Sequence, residues 1–177
     1  MPKKSRSNLT EYISKEKISK RISKLAKKIN KDYKGKKPIF IGILNGSFMF
    51  LSDLIREIKI DCEIDFLKLS SYGDEKISTG KVTLLKELNC EIENRDIIVV
   101  EDIVDSGLSV KFIKNIIEQH KPASLKFISL LFKKNLSNLD FKIVYIGFEI
   151  DNKFVVGYGL DFAQKYRNLN AVYVLNS

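Results

Sequence analysis

The stretch IIVVEDIVDSGLSVKFIKNII, residues 97–117, decides the fold class. Its first four residues, Ile97–Val100, are β-branched, which is typical of a strand buried in a parallel sheet. An amphipathic stretch of about 108–120 follows, and Pro122 stands after it as a helix stop signal. A buried strand that leads directly into a helix is the repeating unit of an α/β protein, in which ligands bind at the carboxyl ends of the strands.

The turn between this strand and this helix indicates the chemistry. Glu101 and Asp102 stand side by side at its start, and residues 105–109 (DSGLS) open the helix. Gly107 and the small residues around it leave main-chain N–H groups free to bind an anion such as a phosphate. The carboxylates would repel that phosphate unless they bound a sugar diol, a Mg²⁺ ion or an acidic proton. We therefore expect a sugar phosphate here, although an ordinary helix N-cap within 105–109 would also explain the turn.

Strands and helices alternate along the rest of the chain. Further strands are predicted at Ile39–Leu44, Glu63–Leu69, Leu125–Phe132, Ile143–Gly147, Phe154–Tyr158 and Ala171–Leu175, and further helices at Leu9–Asn30 and 47–58. The polar segment 70–81 is expected to be a mobile loop or one arm of a hairpin. The alternation predicts an α/β fold with a parallel sheet covered by helices on both faces. Since no repeat or linker interrupts it, we expect one domain over 1–177, with 1–8 as a basic tail.

Composition limits the class of protein further. The chain has 177 residues, of which 44% are hydrophobic, and this is enough for the core of one domain. No apolar run reaches the roughly 18–20 residues of a membrane span, and no apolar segment follows the charged N-terminus as it would in a secretory signal. Cys62 and Cys90 lack metal-like spacing. We therefore expect a cytoplasmic protein with two reduced thiols and no membrane partner.

The net charge of +9 is concentrated near the N-terminus. Residues 1–37 contain 14 Lys and Arg against 3 Asp and Glu, a balance of +11, so the remaining residues carry −2. Such basicity suggests a nucleic-acid partner, but a general enrichment in lysine explains it equally well, and arginine, the usual base-reading residue, is scarce. We do not expect nucleic acid as a partner, and the role of the basic segment stays open.

Four segments resemble a known family. VVEDIVDSGLS (99–109) is similar to the phosphoribosyl pyrophosphate signature of type I phosphoribosyltransferases, which is two acids, two apolar residues and then D-[ST]-G. GILNGSFMFLSDLIREI (42–58), LSSYGDEKISTGKV (69–82) and GFEIDNKFVVGYGLDFAQKYRNL (147–169) resemble the bacterial hypoxanthine-guanine branch of that family in order and spacing. The resemblance covers about residues 9–175.

The resemblance implies a fold, a reaction and partners. The fold is the type I phosphoribosyltransferase fold, a parallel sheet flanked by helices with a small hood of short strands from the N-terminal and C-terminal segments. The reaction is Mg²⁺-dependent transfer of the 5-phosphoribosyl group from phosphoribosyl pyrophosphate to N9 of hypoxanthine or guanine, which gives IMP or GMP plus pyrophosphate in purine salvage. The family is usually dimeric or tetrameric. Two alternatives to this enzyme are a nucleic-acid-binding regulator of the same fold and an enzyme of the same fold that prefers xanthine.

The resemblance also assigns residues to roles. Glu101 and Asp102 hold the ribose diol and its metal, Asp105 assists proton transfer near purine N7, and Asp161 is a second metal-binding acid. The residues expected to bind substrate are Leu44, Asn45, Gly46, Ser71, Tyr72, Glu101, Asp102, Ile103, Val104, Asp105, Ser106, Gly107, Leu108, Ser109, Lys133, Phe154, Val155, Asp161 and Arg167.

Five of these residues have specific tasks in the family. Lys133 donates a hydrogen bond to the 6-oxo group of the purine. The 6-amino group of adenine could not accept this hydrogen bond. Phe154 stacks on the purine, the main chain of Val155 pairs with the base edge, Arg167 reaches pyrophosphate, and Tyr72 closes over the reacting bond.

Each assignment has a simpler alternative. The lysine could be a solvated strand-end residue, with Lys134 as its rival, and Phe154 could be plain core. Asp161 could cap a turn, Arg167 could form a surface ion pair, and Tyr72 could be a solvated loop residue.

The sequence departs from the family pattern at one place. Leu44-Asn45-Gly46 stands where the family often has Leu-Lys-Gly, in a turn that usually carries a non-proline cis peptide and binds pyrophosphate through its main chain. The main-chain donors survive the change to Asn45, but the lysine charge does not. We expect activity to persist. The strength of pyrophosphate binding and any subunit contact are the properties that the loss of this lysine affects.

Overall fold

The computed structural model describes residues 8–71, 82–86, 88–134 and 139–176. Its elements are β1 (Leu9–Ile13), α1 (Lys15–Asp32), β2 (Ile39–Leu44), α2 (Phe48–Glu57), β3 (Glu63–Ser71), β4 (Val82–Lys86), β5 (Asp96–Val104), α3 (Leu108–Gln119), β6 (Ser124–Phe132), β7 (Tyr145–Glu149), β8 (Val155–Val156) and β9 (Val172–Leu175). Tyr72, most of the segment 70–81 and most of the predicted basic tail lie outside the described residues.

The main sheet has six strands in the order β4-β3-β2-β5-β6-β7. Neighbouring strands from β3 to β7 are parallel, and β4 pairs antiparallel with β3 at one edge. The predicted parallel α/β sheet is therefore confirmed. Helices cover both of its faces, with α1 and α2 packed on one side and α3 on the other.

The central strand β5 shows why the apolar runs are continuous. Ile98 and Val100 belong to the core beneath α1 and α2, whereas Ile97 and Val99 belong to the core beneath α3. All four side chains are completely buried. A strand that is covered on both faces requires apolar residues at every position, and burial of each such side chain contributes roughly 1.5–3 kcal/mol.

A second, three-stranded antiparallel sheet forms the expected hood. It has the order β1-β9-β8 and joins segments from both ends of the sequence. The sequence predicted a helix from Leu9, and this was wrong for Leu9–Ile13, which is the strand β1. The helix begins only after Ser14, whose side chain accepts from the main-chain N–H of Lys17 as an N-cap. Pairing with the distant strand β9 overrides the local helical pattern of these residues.

The lysines of α1 lie opposite its buried face. Ile18, Ile22, Leu25, Ala26 and Ile29 are buried against the sheet, while the lysines at 17, 20, 24, 27 and 31 are exposed. Much of the basic charge near the N-terminus is therefore the solvated side of a core helix. Among the residues that the structure describes, no helix is long and apolar enough to span a membrane.

Several strand boundaries differ from the predictions, as for β7, which is observed at Tyr145–Glu149 and not at 143–147. For three strands the physical reason is clear. Strand β5 continues past Val100 to Val104, because its ladder with β6 runs on to the pair Val104↔Phe132. Strand β3 includes Ser70 and Ser71, which pair with β4 rather than starting the loop. Strand β8 stops at Val156, because Gly157 and Tyr158 both adopt positive φ angles that a strand cannot contain.

Candidate active site

Two adjoining clefts lie at the carboxyl ends of the parallel strands. One, of about 300 Å³, is lined by the end of β2, the end of β5 and the first turn of α3. The other, of about 350 Å³, is lined by residues 45–46, Lys133, residues 153–155, Asp161 and Arg167. Asp102, Ile103 and Asp105 line both clefts, so the two spaces form one continuous site. Most of the residues expected to bind substrate are therefore brought together at this edge of the sheet.

The first turn of α3 has the geometry of an anion-binding site. Gly107 adopts a left-handed conformation with φ of 83° at the N-cap and has no side chain to cap the helix. The first N–H groups of a helix have no intrahelical acceptors, so they suit a phosphate, although the N–H of Leu108 already donates to Ser106 Oγ at 3.4 Å. Ser106 and Ser109 line the same cleft and can donate their hydroxyl groups. Leu108 is half exposed and does not line either cleft, so only its main chain belongs to this turn.

Glu101 and Asp102 form a pair of shielded carboxyl groups at the end of β5. Burial raises the pKa of Glu101 well above its usual range, and the neighbouring Asp102 raises it further. Burial also raises the pKa of Asp102 to about 6, although the main-chain N–H of Ile103 donates to its Oδ1 at 2.9 Å and favours the charged form. Two desolvated carboxyl groups beside each other suit a bound cation or sugar hydroxyl groups.

A metal ion here would need ligands beyond the protein. Within the four described ranges, no three His, Cys, Asp or Glu side chains are grouped closely enough to hold a metal ion. Mg²⁺ commonly takes only one or two carboxylates and completes its shell with substrate oxygens and water. The pair Glu101 and Asp102 fits that type of site.

Lys133 and Asp105 form an ion pair where the two clefts meet. Lys133 Nζ lies 2.8 Å from Asp105 Oδ2, and the lysine side chain is 8% exposed against 52% for the aspartate. The main-chain N–H of Lys133 donates to the carbonyl oxygen of Val104 at 2.9 Å, which fixes the lysine beside the end of β5. Of the two neighbouring lysines, Lys133 lines the cleft. It is therefore not a solvated strand-end residue.

The turn after β2 packs directly against the carboxylate of Asp102. The peptide bond Leu44–Asn45 is cis, as the resemblance led us to expect. A Cβ atom on Gly46 would collide with the carboxylate of Asp102, so only glycine allows this close approach. On its other side, Gly159 has φ of 99° and packs so tightly that a Cβ there would collide with the carbonyl oxygen of Gly46.

Asp161 and Arg167 form a second ion pair at the far wall of the site. Arg167 Nη2 lies 2.7 Å from Asp161 Oδ1, and Arg167 Nη1 donates to the carbonyl oxygen of Gly159 at 2.8 Å. Asp161 Oδ2 accepts from the main-chain N–H of Gln164 at 2.8 Å. Asp161 therefore does cap a turn, and Arg167 does form an ion pair. Both side chains nevertheless line the cleft as well.

The segment 153–155 forms the wall that would face a planar ligand. Phe154 is 55% exposed and lines the cleft, so it is not part of the core. Val155 is buried and belongs to the hood strand β8. The ring of Phe162 contacts that of Phe154 edge to face, with centroids 5.8 Å apart and planes at 88°. An exposed ring held in one orientation is suited to stacking on a base.

Sequence reasoning did not single out Lys153 and Gly159 as residues of this site, and it named two others, Ser71 and Tyr72, whose side chains the structure does not describe. Lys153 lines the second cleft, and Gly159 supports the turn at Gly46. The position of Lys153 next to Phe154 was the available signal for the first, whereas no local pattern identifies the second. Ser71 has its main chain in β3, its side chain is not described, and Tyr72 lies outside the described residues.

Comparisons with known proteins find related sequences over most of the chain. Residues 8–163 match the family model of the phosphoribosyl transferase domain. A hypoxanthine-guanine phosphoribosyltransferase of Bacillus subtilis is 40% identical over 163 residues, which are 92% of this chain and 91% of that protein. The bifunctional protein TilS/HprT of Listeria monocytogenes is 38% identical over 92% of this chain, but the chain spans only 25% of that longer relative.

Solved structures are also similar. A hypoxanthine-guanine phosphoribosyltransferase from Bacillus anthracis has a TM-score of 0.88 and 45% identity, with 93% of this chain and 97% of the other covered. A hypoxanthine phosphoribosyltransferase from Staphylococcus aureus has a TM-score of 0.91 and 38% identity, with 99% and 97% covered. The six-stranded sheet and the hood therefore occur together in proteins whose sequences are also related to this one.

Proposed function

The chain belongs to the phosphoribosyltransferase family, and from this premise we propose that it transfers the 5-phosphoribosyl group of phosphoribosyl pyrophosphate to N9 of hypoxanthine or guanine. The products are IMP or GMP and pyrophosphate. The observation that carries the proposal is the pair of Lys133 and Asp105, which lie 2.8 Å apart and line the same cleft as the exposed ring of Phe154. A donor and an acceptor at this spacing match the O6 and N7–H edge of a 6-oxopurine.

Recognition of the base follows from hydrogen-bond polarity. Lys133 only donates, so it pairs with the 6-oxo group of hypoxanthine or guanine and not with the 6-amino group of adenine. A site built around such a buried donor discriminates strongly, because a wrong base leaves that donor unpaired. Phe154 supplies the stacking face, and the main chain of Val155 pairs with the remaining edge of the base.

The sugar phosphate occupies the first cleft in this proposal. The 5′-phosphate binds the N–H groups and hydroxyls of residues 105–109, and the ribose diol meets Glu101 and Asp102. Glu101, Asp102 and Asp161 would help to hold a Mg²⁺ ion, which would supply neutralising charge for the pyrophosphate. Arg167 and the main chain of residues 44–46 bind the leaving pyrophosphate.

The reaction breaks the bond between C1′ and the pyrophosphate oxygen and forms the bond between C1′ and N9. Positive charge develops on the ribose and negative charge on the leaving group, where Arg167 and the main-chain donors stabilise it. Asp105 accepts the proton of the purine as N9 becomes bonded to C1′. Its half-exposed carboxylate lies beside Lys133, within reach of the base edge that this lysine holds.

Further parts of the proposal rest on the family alone. We place the protein in the cytoplasm as a homodimer or homotetramer, with residues 1–177 acting as one phosphoribosyltransferase domain. The role of Ser71 in substrate binding and the role of Tyr72 in closing over the reacting bond stay predictions. The alternative of a nucleic-acid-binding regulator finds no support among the relatives named above, and the preference among hypoxanthine, guanine and xanthine is left to the experiment.

The test is a direct assay of nucleotide formation. Purified protein is mixed with phosphoribosyl pyrophosphate, Mg²⁺ and, in separate reactions, hypoxanthine, guanine, xanthine or adenine, and the absorbance change is followed. Product with the 6-oxopurines and none with adenine supports the proposal and ranks the substrates. If no base gives product although the folded protein still binds phosphoribosyl pyrophosphate, the proposal is overturned in favour of the regulator.

A further inference from the structure

Strand β1 contains a bulge at Tyr12. Its pairing with β9 runs Leu9↔Leu175, Thr10↔Val174 and Glu11↔Tyr173, and then shifts so that Ile13 pairs with Val172. The extra residue in this register is Tyr12. A bulge turns the side chain of the extra residue away from the regular alternation of the strand, and bulges are frequent beside active sites for this reason.

The ring of Tyr12 contacts Lys153 of the cleft wall. Lys153 Nζ lies 4.7 Å from the centroid of the Tyr12 ring, within the range of a cation–π interaction. Asp151 Oδ2 is 4.0 Å from the same nitrogen, so it is a second and looser partner. The side chain of Lys153 is 44% exposed. Tyr12 and Asp151 together therefore restrict the conformations of this partly exposed side chain.

The hood also holds the main chain that follows Lys153. The carbonyl oxygen of Phe154 accepts from the N–H of Leu175 in β9, and Val155 pairs with Val174 of the same strand. Because β9 pairs with β1 as well, the strand that carries Tyr12 and the segment 153–155 belong to one small sheet. Residues near both ends of the sequence thus hold the main chain from which the exposed ring of Phe154 projects.

We propose that Tyr12 is a positioning residue for the base, which acts by holding Lys153 and with it the purine-binding segment 153–155. The inference rests on the proposed function, since it assigns that segment to the purine. It adds a residue of the N-terminal strand to the recognition of the base, although Tyr12 itself lines neither cleft. The contact should favour the arrangement in which Phe154 is ready to stack before the base arrives.

The experiment compares Tyr12→Leu with Tyr12→Phe. Phenylalanine keeps the aromatic face for Lys153, whereas leucine keeps only apolar volume. We expect Tyr12→Leu to raise the KM for hypoxanthine about two- to five-fold, the range that an exposed cation–π interaction gives, with the KM for phosphoribosyl pyrophosphate and kcat unchanged. Tyr12→Phe should behave as the wild-type protein. Thermal melting of both variants verifies that the fold is retained.

A double-mutant cycle separates positioning from general weakening of the hood. Lys153→Gln should raise the KM for hypoxanthine as well, and the double variant with Tyr12→Leu should be no worse than the more impaired single variant. Additive effects, an equal defect in Tyr12→Phe, or a Tyr12→Leu variant with unchanged kinetics would each overturn the inference. Absence of turnover in the wild-type protein would instead count against the proposed function, so the two failures are distinguishable.

Discussion

Lys133 Nζ donates to Asp105 Oδ2 at 2.8 Å, although the two residues are 28 positions apart in the sequence. Each stands just after a strand, since Asp105 follows β5 and Lys133 follows β6. These strands are parallel neighbours in register, with Val104 opposite Phe132. The ion pair is therefore a direct consequence of strand pairing, and the edge of a 6-oxopurine can replace it by binding both partners at once.

Asp105→Asn should lower kcat strongly while the fold is retained. The amide keeps the size of the carboxylate and can still accept a hydrogen bond, but it cannot accept a proton. Loss of general acid–base assistance corresponds to a decrease of roughly 10²- to 10⁴-fold. Steady-state assays with hypoxanthine measure the effect, and unchanged rates would remove Asp105 from its assigned role. The melting temperature should change little, because the Asp105 side chain is 52% exposed.

Lys133→Gln should weaken binding of 6-oxopurines more than binding of phosphoribosyl pyrophosphate. The variant loses a charged donor that is almost fully buried beside the cleft. A hydrogen bond from a charged group of this kind corresponds to a roughly ten- to hundred-fold rise in the KM for hypoxanthine. Lys134→Gln is the matched control, because Lys134 does not line the cleft. Equal effects of the two substitutions would contradict the assignment.

Gly46→Ala should reduce kcat/KM for phosphoribosyl pyrophosphate about 100-fold. The new methyl group would collide with the carboxylate of Asp102, so the turn or the carboxylate must move. A displacement of about 1 Å at reacting groups is enough for a loss of this size. Thermal melting serves as the control for folding. Kinetics within two-fold of wild type would show that the turn and Asp102 need not approach so closely.

Asn45→Lys should tighten binding of phosphoribosyl pyrophosphate and of pyrophosphate. Asn45 is exposed and lines the second cleft, so a lysine there adds a cation without displacing the core. A solvent-exposed charge contributes up to about 1 kcal/mol, which corresponds to a fall in KM of at most about five-fold. Asn45→Gln adds length without charge and should leave KM unchanged. The gain of the lysine variant should shrink at high salt, and a salt-independent gain would argue against a charge effect.

Asp65→Asn should remove a pH-dependent part of the stability. Burial favours the neutral acid, but main-chain N–H groups of Phe66, Asn89 and Cys90 outweigh it and hold the pKa of Asp65 at about 2. This is below the unfolded value of about 3.9, so the stabilisation is complete above pH 5 and is lost as the pH falls toward 2. It corresponds to roughly 2 kcal/mol at neutral pH.

Urea unfolding of wild type and Asp65→Asn at pH 7 and pH 3 measures this contribution. The difference in unfolding free energy between the two proteins should be smaller at pH 3. At that pH Asp65 is largely protonated in the unfolded wild-type protein, which reduces the stabilising contribution of its carboxylate. Asp61→Asn, an exposed aspartate nearby in sequence, is the control and should give no such change. A difference that is equal at both pH values would exclude the charge of Asp65 as its source.

Much of the fold was predictable from local patterns. The predicted bounds of β2, β6 and α3 lie within one residue of the observed ones. These elements have long apolar or amphipathic runs, so burial alone defines them. Leu9–Ile13 could not be predicted in the same way, because its strand exists only through pairing with β9 at the other end of the sequence. Such long-range strand pairing outweighs the local preference of these residues for a helix.

The sequence by itself determined the kinds of group in the site and their order along the chain. Two acids at the end of a buried strand and a glycine-containing helix start predict a sugar phosphate from the residue types themselves, whereas the role of the later lysine toward a 6-oxo base came from the resemblance to the family. Only the tertiary structure decided which groups meet. The contacts of Lys133 with Asp105, of Gly46 with Asp102 and of Lys153 with Tyr12 depend on sheet order, register and a bulge, and the periodicity of apolar residues along a chain does not encode these features.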